Sequence, residues 1–190
     1  LTLFGPMGQP FAQPVSEQLP PLGRLSWSLS TLFDISTPIA DGYVEVEVDG
    51  PGAVGFALIE VQDTLLGFNA SFGNEGNTLY SAQMASGGVT GNQVFTSLKL
   101  VNTSDDPRAV TMTAYLDDGT PLQTVFPFFL FPGNALQRSV GELFGTGSPI
   151  SSSLTTGSIR IDVDGPGVIG DVIFGDPGDP DEVDFAAGLP

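Results

Sequence analysis

The sequence predicts an all-β protein built of antiparallel β-sandwiches. Three observations carry this prediction: short runs in which apolar and polar residues alternate, frequent turn residues between them, and an internal repeat of about 115 residues. Gly (25) and Pro (16) are abundant, as many short strands joined by tight turns require. The 190 residues suffice for one or two domains with a real core, and 41% hydrophobic content excludes a disordered chain.

The elements are clearest in the C-terminal part. "FTSLKLVN" (Phe95–Asn102) reads as a strand and "TSDDPR" as the turn after it. "AVTMTAYL" turns Val110, Met112, Ala114 and Leu116 inward and Thr111, Thr113 and Tyr115 outward. "DDG" (Asp117–Gly119) is a hairpin turn. "LQTVFPFFLF" (Leu122–Phe131) is a long apolar strand that Pro127 assigns to an edge or a bulge. In "NALQRSVGELF", Leu136, Val140, Leu143 and Phe144 form an i, i+4, i+7, i+8 stripe, which predicts one or two helical turns closing the core. "SIRIDVD" sets Ile159, Ile161 and Val163 against Arg160, Asp162 and Asp164. It leads into "VDGPG", read as the turn of a hairpin. Seven or so short strands in roughly 115 residues describe an immunoglobulin-like sandwich, without the Cys…Trp…Cys mark of true immunoglobulin domains.

The repeat surfaces in that turn. "VDGPG" occurs at Val48–Gly52 and at Val163–Gly167, an offset of 115. "GYVEVEVDGPGAVGF" (Gly42–Phe56) aligns with "GSIRIDVDGPGVIGD" (Gly157–Asp171). Upstream the offset is 111: Gly8-Gln9-Pro10 with Gly119-Thr120-Pro121, Pro21 with Pro132, Leu25 with Leu136, Ser28 with Ser139, and Leu32-Phe33 with Leu143-Phe144. Downstream, Phe68 aligns with Phe185. The expected organisation is a partial sandwich over 1–71 and a complete one over 72–190. Leu1 corresponds to Met112, so the first sandwich lacks an equivalent of residues 72–111 at its N-terminal side. Two explanations are open. The chain is an excerpt of a longer tandem protein, without initiator Met or signal peptide, or strands come from another subunit.

"SLKLVNTSDDPRAVTMTAYLDDGTPL", "FPGNALQRSVGELF" and "GSIRIDVDGPGVIG" together resemble a tandem β-sandwich repeat of secreted and cell-surface bacterial proteins, with the pattern LVN…VT.T.Y..DG.P…PG…LF…GPGV.G. The resemblance covers nearly all of 72–190 and the second half of 1–71. It implies an extracellular or cell-surface location and a spacer, scaffold or adhesive role. It implies no catalytic residues.

Composition narrows the chemistry. A net charge of −17, with 22 acidic and 5 basic residues, opposes nucleic-acid and anionic-membrane partners. Without His or Cys there is no disulfide, thiolate site or Ser-His-Asp triad. No apolar run approaches the roughly 20 residues of a membrane helix, so no membrane insertion is expected. "GPGAVG" and "GPGVIG" have the G-x-G-x-x-G spacing of a dinucleotide loop, but β-rich sequence follows where a helix is required, and Pro51 and Pro166 each remove an amide donor. Asp105-Asp106 and Asp117-Asp118 are turn carboxylates rather than a glycosidase pair.

Some candidates remain. Asp176, Asp179, Asp181, Glu182 and Asp184 form either a solvated acidic loop or a calcium site, since Ca²⁺ takes roughly 6–8 oxygen ligands. Phe56 and Leu58 align with Asp171 and Ile173 on an outer strand face and are either a contact surface or locally covered. Most other aromatics, Trp27, Phe33, Tyr43 and Phe128–Phe131 among them, read as core. Asn69-Ala70-Ser71 and Asn102-Thr103-Ser104 are N-glycosylation tripeptides. The expectation is a non-enzymatic extracellular structural repeat of a stalk or filament. Its partners would be copies of the same chain or adjacent repeats. The alternative is a glycan-binding or adhesive module accessory to a secreted enzyme.

Overall fold

Period-two alternation produces strands, all but two of them beyond residue 55. The computed structural model, which describes residues 1–37, 39, 42–50, 56–61, 64–69, 76–89, 92–145, 150, 154–175 and 185–188, is all-β. In chain order the elements are β1 (Thr2–Phe4), α1 (Leu29–Phe33), β2 (Tyr43–Glu45), β3 (Phe56–Val61), β4 (Thr64–Asn69), β5 (Thr78–Val89), β6 (Asn92–Asn102), β7 (Arg108–Leu116), β8 (Pro121–Thr124), β9 (Phe128–Leu130), β10 (Ala135–Ser139), α2 (Val140–Phe144), β11 (Thr155–Val163), β12 (Val168–Gly175) and β13 (Phe185–Gly188).

The C-terminal part is sandwich-like. In one layer β11 lies between β5 and β7, and β8 and β9 continue along the outer side of β7. In the other, β6 lies between β10 and β12, with β13 beyond β12. Every pairing is antiparallel, and the tip of the β5–β6 hairpin ties the layers at Gly87–Val89 and Asn92–Val94. Where β5 leaves its layer, the buried hydroxyl of Thr96 accepts from Ala85 N–H at 2.8 Å and donates to Ala85 C=O at 2.9 Å, so the departing backbone stays satisfied.

The two layers face one core. Leu79, Met84, Val110, Met112, Ala114, Ile159, Ile161 and Val163 meet Leu98, Leu100, Val168 and Val172 across it. Val140 and Phe144 of α2 close one side. Ser139 caps α2 in a reciprocal box: its hydroxyl accepts from Glu142 N–H, and the Glu142 carboxylate accepts from Ser139 N–H at 2.8 Å.

Four local expectations change. β11 and β12 do not form a hairpin; Asp164–Gly167 arches from one layer to the other. The arch is held by side chains and backbone of the β6–β7 loop. Thr103 N–H and its hydroxyl both donate to Gly167 C=O at 2.8 Å, and Arg108 Nε donates to Pro166 C=O at 3.0 Å. Leu122–Phe131 is two short strands, because the proline and its neighbours interrupt pairing along β7. Residues 135–139 are a strand on β6, and only the following five residues are helical. The aromatics also part company: Phe33 is buried, whereas Trp27, Phe129 and Phe131 are exposed, together with Phe126.

Candidate assembly surface

Short elements of the N-terminal part reproduce, bond by bond, elements of the C-terminal part. Shifting β1 by 111 residues and β2 by 115 lays their pairs on those of β7 with β11. Thr2↔Glu45 falls on Thr113↔Arg160, Leu3↔Val44 on Ala114↔Ile159, and Phe4↔Tyr43 on Tyr115↔Ser158. The turn after the first strand is also the same. Gly5 N–H donates to Gln9 C=O and Gly8 N–H to Gly5 C=O, as Leu116 does to Thr120 and Gly119 to Leu116. Gly8 and Gly119 both take positive φ, +73° and +83°.

A close approach recurs as well. A Cβ on Gly42 would lie 2.7 Å from the Phe4 carbonyl oxygen, and one on Gly157 would lie 1.8 Å from that of Tyr115. Only glycine admits the neighbouring backbone at either place. α1 and α2 are both five residues long, capped by Ser28 and Ser139, and end on the buried rings of Phe33 and Phe144.

What surrounds these elements differs. Leu130, Val140, Ile161 and Val163 are at most 8% exposed. Leu19, Leu29, Val46 and Val48, at the same offsets, are 48–56% exposed. The reason is the strands beside them. β11 has neighbours on both edges, whereas among the described residues β2 has only β1. β10 pairs with β6, while the matching residues 24–28 are not in a strand. Among the described residues the N-terminal part thus has a strand edge with no paired neighbour and exposed apolar side chains, and the exposed Glu45, Glu47 and Asp49 make this stretch acidic.

The two parts also touch. Ala135 N–H donates to Pro6 C=O at 2.8 Å, and the Tyr43 hydroxyl donates to Gly133 C=O at 2.8 Å. The Tyr43 ring stacks on Phe4 at 5.0 Å between centroids; burial, then the Glu45 charge, raises its pKa. Gly8 packs against Gly133 so closely that a Cβ on Gly8 would fall 2.7 Å from Gly133 backbone. Lys99 donates to Gly42 C=O. Across the strand pair from Lys99 stands Asp171, whose Oδ1 is buried with no hydrogen bond among the described residues. Burial raises the Asp171 pKa, and Lys99 partly opposes the shift.

The predicted sites stand as follows. Asp176, Asp179, Asp181, Glu182 and Asp184 lie outside the described residues, and among the described residues no group of three or more Asp or Glu is arranged to hold a metal. Phe56 and Leu58 occupy alternate positions of β3, opposite Asn69 and Gly67 of β4; their side chains lie outside the described residues. Residues 51–55 of the first "GPGAVG" do too. The second runs through the arch directly into β12, a strand, so it has no helix N-terminus to receive a phosphate.

Turn chemistry explains the carboxylate pair at 117–118. Asp118 accepts from Thr120 N–H at 2.8 Å, which lowers its pKa, and Asp117 accepts from the Thr156 hydroxyl at 2.7 Å. Asn102 is a buried hub rather than a glycan acceptor. Its Nδ2 donates to the carbonyls of Asp106 and Leu130 at 2.8 and 2.9 Å, and its Oδ1 accepts from Ser104 N–H and hydroxyl. No helix among the described residues is long and apolar enough to cross a membrane.

No protein-family model matches the chain, and no curated protein matches it in sequence. Among solved structures, the crystal structure of Thermotoga maritima 1070 is similar over 62% of this chain and 95% of that one, at 18% identity and a TM-score of 0.48.

Proposed function

We propose that this chain is a non-enzymatic structural repeat of an extracellular stalk or filament, made of tandem immunoglobulin-like sandwiches of which residues 1–71 form an incomplete unit and 72–190 a complete one. One observation carries the reading: the β1–β2 register superposes on β7–β11 at the offsets of the sequence repeat. The same turn, the same glycine contact and the same capped helix support it. An unpaired strand edge such as that of β2 suits edge-to-edge assembly of such units. Strong acidity and the absence of His and Cys agree with a structural rather than a catalytic role. Electron microscopy of the native material is the test. Fibres with a repeat of one sandwich are expected, and a discrete monomer that turns over a substrate overturns the reading.

A specific observation favours a second reading, a glycan-binding module. Phe126, Phe129 and Phe131 are exposed beside the edge strand β9, where aromatic rings can stack on sugar faces. Binding on a glycan array that is lost in Phe129→Ala and Phe131→Ala supports it; uniform signals across glycans exclude it.

A further inference from the structure

We infer that the free edge of β2 and the apolar face beside it accept a β-hairpin of the kind formed by Thr78–Asn102, carried by another repeat of this type. The inference rests on the repeat reading above and names the partner of its open unit.

The C-terminal part supplies the template. Ile159, Arg160, Ile161 and Asp162 lie opposite Ser81, Tyr80, Leu79 and Thr78. Because the β1–β2 register is that of β7–β11, the same hairpin strand would meet Val44 and Glu45 of β2, and then Val46 and Glu47 as the strand extends through them. Thr78 donates to Asp162 at 3.2 Å, and Glu47 offers a carboxylate at the matching place. The second hairpin strand pairs Ser97–Val101 with β10, and the matching acceptor residues are 24–28. Its Leu98 and Leu100, with Leu79 and Met84 of the first strand, have the apolar surface that Leu19, Leu29, Val46 and Val48 lack.

Charge selects the same partner. The acceptor edge is lined by Glu45, Glu47 and Asp49, in a chain of net charge −17. From Gly76 to Ser104 the only charged residue is Lys99, so this hairpin approaches the edge without adding negative charge. Strand addition supplies main-chain hydrogen bonds, and alternate side chains then decide which strand fits.

The test titrates a synthetic Thr78–Asn102 peptide into the intact chain. The heat of binding is the readout, because Trp27 matches the exposed Arg138 and would stay in water. Saturable one-to-one binding is expected, weakened at least about tenfold by the double substitution Val46→Asp, Val48→Asp. Both positions are exposed, so the rest of the fold is undisturbed. Equal binding of a shuffled peptide, or equal binding by the double variant, overturns the inference. Dimerisation of the chain alone that the double variant abolishes would make the occupant a second copy, which also overturns it. A fusion carrying residues 72–111 ahead of Leu1 guards against an insoluble peptide: residues 1–50 should gain protease resistance. If they do not, the inference fails. None of these failures touches the structural role, which microscopy and turnover assays test separately.

Discussion

Residues 1–50 and the C-terminal sandwich use the same local devices and reach different states of packing. Both have the glycine turn after the first strand, the Gly against a carbonyl, and the serine-capped helix that ends on a phenylalanine. Only the C-terminal part has the β5–β6 hairpin, and with it the same apolar positions pass from about half exposed to buried. Local structure is therefore written in turns and caps, while stability is written in the strands that cover them.

The largest effect should come from the matched pair Ile161 and Val46. Ile161→Ala removes a fully buried side chain and should cost about 2–4 kcal/mol in denaturant unfolding. Val46→Ala should cost less than about 0.5 kcal/mol, because water already reaches that residue. Equal costs would mean that the two parts are packed alike. Next, Gly157→Ala forces a methyl onto the Tyr115 carbonyl between two paired neighbours and should cost about 2–3 kcal/mol. Gly42→Ala should cost less, since β2 has a free side toward which the backbone can yield. Smaller again is the cap. Ser139→Ala breaks a two-way capping box and should cost about 1 kcal/mol. Ser28→Ala loses the bond from Thr31 N–H and exposed hydroxyl contacts with Ser30 and Thr31 that water can replace, and should cost about half as much.

The smallest effect is in pH. Burial raises the Asp171 pKa, so the folded state holds that proton more tightly than the unfolded one. Its contribution is full below the ordinary carboxylate range and is lost as pH rises through the raised folded value. Asp171→Asn should lift the melting temperature by about 1–2 °C at neutral pH and by nothing near pH 3. A difference that does not change with pH would rule out titration of Asp171.

Much of this was legible in the sequence, for a physical reason. Alternation fixes which side of a strand faces the core, and Val110, Met112, Ala114, Ile159, Ile161 and Val163 are all buried as their pattern predicts. The sequence offsets of 111 and 115 align β1 and β2 with β7 and β11, and the described residues pair these strands in the same register. Phe129 and Phe131 read as core and are not: they alternate with Leu130, which is buried, and face out at the sheet edge. The arch was not legible either. A Gly-Pro-Gly turn can return a chain within a layer or carry it to the next, and the choice lies with β5 and β6, which end at Val89 and Asn102, far earlier in the chain. Asn102 misled for the same reason, because its burial depends on the carbonyls of Asp106 and Leu130.

The arch at Asp164–Gly167 has a consequence for how the chain folds. Strands adjacent in sequence, β11 and β12, go to opposite layers, and each docks on a strand made much earlier. Closing the sandwich therefore means closing long loops, whose entropy must be lost before the core rewards it. Refolding should be slow, in roughly the millisecond-to-second range of sheet proteins with distant pairings. The β5–β6 hairpin must wait through that interval with both faces uncovered, and it is then most open to capture by an edge that lacks one.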